Sequence, residues 1–94
     1  METISVDSRV QRKESHLIIS ELDDDLVMMD TENGSYLSLN KTGRIIWEQL
    51  EQPVLVGDLI QRLMNRFSVD EKTCTAETLD FLTKIVGQKA LLIY

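Results

Sequence analysis

The stretch Glu32-Asn33-Gly34-Ser35-Tyr36-Leu37-Ser38-Leu39-Asn40-Lys41-Thr42-Gly43-Arg44-Ile45-Ile46-Trp47 holds the switch from strand to helix. Asn-Gly is the strongest short hairpin signal, because both residues tolerate positive φ. After it, Ser35–Leu39 alternates, with Leu37 and Leu39 on one face and Tyr36 and Ser38 on the other. Asn40 or Thr42 can cap the helix that follows. In that helix Ile46 and Leu50 lie four apart and Trp47 and Leu50 three apart, so they share a face.

Upstream, His16–Leu22 is apolar and β-branched, and Leu26–Asp30 forms a second strand. Asp23-Asp24-Asp25 between them suits a turn. These three strands predict an antiparallel meander. Residues 1–14 predict an arm or a weak first strand, with residues 15–94 as the domain proper. Downstream, Pro53 ends the first helix. Leu59, Ile60, Leu63, Met64 and Phe67 mark a second helix over about 57–67 at i, i+3/i+4 spacing. Asp70 is positioned to cap a third helix, about 71–88. At about 100° per residue its apolar arc is about 160° wide, where a one-sided surface helix needs about 100°. The excess predicts deep burial or a groove that takes in a foreign chain. Ala90–Tyr94 reads as a final strand or an apolar tail. The expected fold is α+β and winged-helix-like: a three-stranded antiparallel sheet, then three helices.

Ninety-four residues, 43% hydrophobic and 28% charged, make one small globular domain. Sixteen acids against ten bases give −6, and the basic footprint of a nucleic-acid binder is missing. No apolar run approaches a membrane span. The start, Met1-Glu2-Thr3-Ile4, is unlike a secretion signal, and the single Cys74 suits a reducing compartment, so a cytoplasmic protein is expected. One His and one Cys do not supply a metal set, and no glycine-rich phosphate loop occurs. These absences predict a chain that is not an enzyme, with no cofactor and no metal.

The quoted junction resembles the core signature of the PqqD-like family. Val56-Gly57-Asp58-Leu59-Ile60 is similar to that family's second-helix start, with Val56 where Thr or Ser is usual. Glu77-Thr78-Leu79-Asp80-Phe81-Leu82 resembles its third-helix motif, with Glu and Thr in place of Asp and Val. The resemblance spans about residues 15–92. It implies a recognition element for the precursors of ribosomally made, post-translationally modified peptides. The junction with Tyr36, Leu39, Asn40, Gly43 and Trp47 most resembles the free-standing leader-binding proteins of lasso peptide biosynthesis.

That resemblance implies an adaptor that binds a leader peptide by strand addition at the third strand, against the third helix. The implied peptide-binding residues are Ser35, Tyr36, Leu37, Ser38, Leu39, Glu77, Asp80, Phe81 and Lys84. The opposite edge of the helix, with Leu79, Thr83 and Val86, is the rival assignment. The implied partners are a leader-cleaving cysteine protease and an ATP-dependent macrolactam cyclase. The alternatives are a peptide chaperone for a radical SAM enzyme of pyrroloquinoline quinone synthesis, a winged-helix DNA-binding regulator and a structural subunit. The DNA reading is weakened because Lys72, Lys84 and Lys89 are offset by Glu71, Glu77 and Asp80.

Overall fold

The computed structural model describes residues 4–23 and 25–94. Strands β1 (Arg9–Arg12), β2 (Leu17–Leu22), β3 (Asp25–Asp30) and β4 (Tyr36–Leu39) come first, then helix α1 (Lys41–Gln49). A two-residue strand β5 (Val54–Leu55) leads into α2 (Val56–Arg66), followed by α3 (Glu71–Gly87) and β6 (Leu91–Ile93). The α+β order of meander and three helices is the one that the sequence predicts. A second three-stranded sheet is added to it.

The meander has strand order β2-β3-β4, both pairs antiparallel. Leu26 and Met28 on β3 and Leu39 on β4 point from it into the core. Of the expected Asp23–Asp25 turn, Asp23 takes the left-handed φ of 56° and Asp25 already opens β3, while Asp24 lies outside the described residues. The β3–β4 turn is wider than the Asn33-Gly34 dipeptide. Asp30 Oδ1 accepts the Glu32 N–H at 2.8 Å, the Asp30 carbonyl accepts the Gly34 N–H, and Gly34 supplies φ +77°.

The second sheet has order β5-β1-β6. Its centre is β1, whose Val10 is fully buried opposite Val54 on one side and Ile93 on the other. The main chain after Val10 continues as a stitch: the Arg12 N–H donates to the Leu50 carbonyl and the Lys13 N–H to the Ala90 carbonyl. The Arg12 guanidinium also lies 5.4 Å from the Trp47 ring centroid and bonds the Trp47 carbonyl.

The three helices start in two different ways. Asn40 and Asp70 cap α1 and α3 by accepting the N–H groups of Gly43 and Thr73. Helix α2 has no capping side chain. Its first donors are satisfied by the N-terminal segment instead, Val56 N–H by the Ser8 carbonyl and Gly57 N–H by the Val6 carbonyl, each at 2.9 Å. A Cβ at position 57 would lie 3.3 Å from that Val6 oxygen, so glycine admits the close approach. Helix α3 buries Cys74, Thr78, Leu82 and Ile85. The Cys74 thiol lies 3.8 Å from the Ile60 carbonyl and 4.0 Å from the Thr78 hydroxyl.

Folding lowers the Asp70 pKa from its ordinary 3.8, through the Thr73 hydroxyl first and the Thr73 N–H second. The stabilisation is therefore full above the unfolded value and is lost as pH falls through the lower folded one. Asp70→Ala should unfold at lower urea than the parent at neutral pH, and that gap should close as pH falls below 3.8.

Candidate functional site

Strand β4 is an edge of its sheet, and its open side faces α3. The Asp30 N–H donates to the Ser35 carbonyl at 2.7 Å, which sets the phase of the β3–β4 ladder. Antiparallel pairs alternate, so Leu37 and Leu39 bond to β3 while Tyr36 and Ser38 turn their N–H and C=O groups to the open side. Those four groups are a template for one more strand.

Between this edge and α3 lies a cavity of about 150 Å³, lined by Leu37, Ser38, Leu39, Asn40, Gly43, Phe81 and Lys84. Gly43 stands between Phe81 and Leu39 in its wall. A Cβ there would stand 3.1 Å from Phe81 Cε1 and 3.4 Å from Leu39 Cβ, so the glycine lets the Phe81 ring rest against the first turn of α1.

Five of the nine expected residues, Leu37, Ser38, Leu39, Phe81 and Lys84, thus meet at one cavity. The other four are placed elsewhere. Ser35 sits at the end of the groove, its hydroxyl between Asn33 Oδ1 at 2.7 Å and Gln88 Oε1 at 2.9 Å. The Tyr36 side chain, 71% exposed, stands on the outer face of the sheet, so only its backbone faces the groove. Glu77 lines a neighbouring cavity of about 220 Å³ with Thr42, Ile46, Phe67 and Thr78. Asp80 is exposed and pairs with Lys84 at 3.2 Å. Of the two candidate helix edges, the cavity is walled by the one carrying Phe81 and Lys84. On the rival edge, Thr83 bonds back to the Leu79 carbonyl.

Asn40 and Gly43 were read from the sequence as cap and junction; their place in the wall follows from α1 starting directly after β4. A group that sequence patterning missed joins the end of α3 to the residues ahead of β2. His16 is buried, and its Nε2–H donates to the Gln88 carbonyl at 3.1 Å, ahead of β2 and beyond α3. The same nitrogen stands 3.9 Å from Asp30 Oδ2, a fully buried oxygen with no hydrogen-bond partner among the described residues. Together with the Ser35–Gln88 bond, His16 ties the end of α3 to the start of β4. A histidine before a strand and a glutamine after a helix carry no local signal for this contact, which joins residues 72 apart.

Among the described residues no cluster of His, Cys, Asp or Glu could hold a metal ion, and no helix is long and apolar enough to cross a membrane. The described site combines a backbone edge, an apolar floor with Asn40 in its wall, and Lys84 paired with Asp80.

Residues 25–91 match the family model described as Coenzyme PQQ synthesis protein D (PqqD). Two solved structures share the fold. One, described as "TbiB1 in Complex with the TbiA(beta) Leader Peptide", is 24% identical with a TM-score of 0.72 and covers 83% of this chain and 91% of that one. The other, "Lasso peptide synthetase B1 complexed with the leader peptide", is 21% identical with a TM-score of 0.69, covering 88% and 96%. No curated protein matches the sequence.

Removing the His16 ring would leave the Gln88 carbonyl and the Asp30 carboxyl without their neighbour. His16→Ala should cost about 1–3 kcal/mol in urea unfolding, and amide exchange at Ser35 and Gln88 should accelerate more than exchange in β1.

Proposed function

The chain belongs to the PqqD family, and from that membership we propose that it is a non-catalytic adaptor for the leader segment of a ribosomally made precursor peptide. The leader adds as a strand to β4, against α3, and the adaptor presents it to maturation enzymes. The observation that carries this reading is the open β4 edge, with the outward groups of Tyr36 and Ser38 standing over an apolar cavity. Both structural neighbours were solved with a leader peptide, which supports it.

Magnitudes say how the leader must be held. Main-chain bonds contribute about 0.5–1.5 kcal/mol each, so four supply at most about 6 kcal/mol. Micromolar binding requires about 8 kcal/mol net, and ordering a free peptide opposes it. Burial of apolar leader side chains, with at least one between Leu37, Leu39 and Phe81, must supply the difference, at about 1.5–3 kcal/mol for each large one. Lys84 lies at the rim of that cavity, where it sets register against an acidic leader residue. Glu77 and Asp80 stand along the same helix face and act on the peptide through charge. Tyr36 contributes its backbone.

In this reading the adaptor works in the cytoplasm, with a leader-cleaving cysteine protease and an ATP-dependent macrolactam cyclase as partners. The family description favours a second reading: delivery of a precursor to a radical SAM enzyme in pyrroloquinoline quinone synthesis. Titration with both classes of leader separates the two.

A synthetic cognate leader should bind with a Kd in the micromolar range or tighter. Amide shifts should centre on residues 35–39 and on α3. Failure of every cognate leader to saturate the protein overturns the proposal. Ser38→Pro is the sharper test, because proline removes one outward N–H at an edge position that tolerates it. The variant should fold normally and bind the leader at least about tenfold more weakly, a loss of about 1.4 kcal/mol. Unchanged affinity would rule out strand addition at β4.

A further inference from the structure

Among the described residues nothing covers the outer face of the meander, which is largely apolar. The ladder registers set Ile18, Met29 and Tyr36 side by side in one row across all three strands, and Ser20, Val27 and Ser38 in the next. Ile18, Leu22, Met29 and Tyr36 are exposed. Ile18, Ser20, Val27, Met29 and Tyr36 enclose a shallow depression of about 290 Å³. Contiguous exposed apolar surface of this kind marks interaction sites.

Charge decides what covers it. The segment 16–40 contains six of the sixteen acids and no Lys or Arg, leaving ten acids against ten bases elsewhere. The whole formal charge of −6 therefore resides in the meander. Of its acids, Asp30 is buried and Glu21 is bound by Arg44 at 2.5 Å. Asp25 stands on the outer face opposite Leu22, and Asp23 and Glu32 are exposed in the turns at its two ends.

We propose that this face is a docking surface, separate from the groove, for a protein partner whose contact patch is apolar at its centre and framed by Lys or Arg. Two copies of the chain would bring like-charged rims together, which disfavours self-pairing. Anionic lipid and nucleic acid are repelled for the same reason.

The probe is a helical peptide of leucine and lysine, compared with the same peptide carrying glutamate for lysine. The lysine peptide should shift the amides of Ile18, Val27, Met29 and Tyr36, and moderate salt should weaken it. The double variant I18S/M29S, altered only at exposed side chains away from β4, should bind it at least about tenfold more weakly while its thermal unfolding and leader affinity stay as in the parent. Equal binding of both peptides, shifts centred elsewhere, or equal affinity in the double variant would overturn the proposal. So would dimerisation through this face in analytical ultracentrifugation, or binding of phosphatidylserine vesicles that the double variant loses.

Discussion

The pairing of β6 with β1 sets the rest of the molecule. The strand that follows α3 pairs with β1 although β4 also offers an unpaired edge. Ile93, Leu92 and Leu91 meet Val10, Gln11 and Arg12, and the Tyr94 N–H adds a bond to the Arg9 carbonyl. The chain's own tail is thereby held away from the groove. Burial drives the choice, since Val10 at the centre of that sheet and Ala90 just before β6 are both fully enclosed. The same N-terminal segment caps α2 through the Val6 and Ser8 carbonyls. The strand that follows α3 is thus engaged in the second sheet rather than at the β4 edge.

Alternation along β4 separates two jobs. Leu37 and Leu39 give their side chains to the cavity and their main chain to β3, while Tyr36 and Ser38 turn their main chain outward. The Tyr36 ring therefore belongs to the exposed row with Met29 and Ile18, although its backbone belongs to the edge. In the two proposed roles, a peptide along the rim of this four-residue strand and a protein across its face would not compete for the same atoms.

Local chemistry was readable where it is complete within a few residues. The Asn40 and Asp70 caps, the turn at Asn33-Gly34, the meander and the three helices all follow from neighbours in sequence. The opposed faces of β4 were readable too, but not which of them the groove would use. Long-range pairings left no such trace. Val54–Leu55 is too short to show alternation, and its partner Arg9–Val10 lies some 45 residues upstream. Val56 looked like a missing cap because its substitute comes from the Ser8 carbonyl. On α3 the buried stripe includes Thr78, a polar residue that periodicity of apolar side chains passes over. His16 and Gln88 were invisible for the same reason.

An open strand edge invites pairing with any extended chain, including another copy. At β4 the hazard is limited by geometry. The edge is four residues long, the Ser35–Gln88 bond lies just before it, and the Phe81 ring rests near Gly43 just after it. A second β4 would bring its own α3 with it, and the two helices would have to occupy the space that a single bare strand needs. A free peptide carries no such bulk. In the proposed binding mode, the wall formed by α3 would favour a guest that is extended and unfolded, before any side chain is recognised.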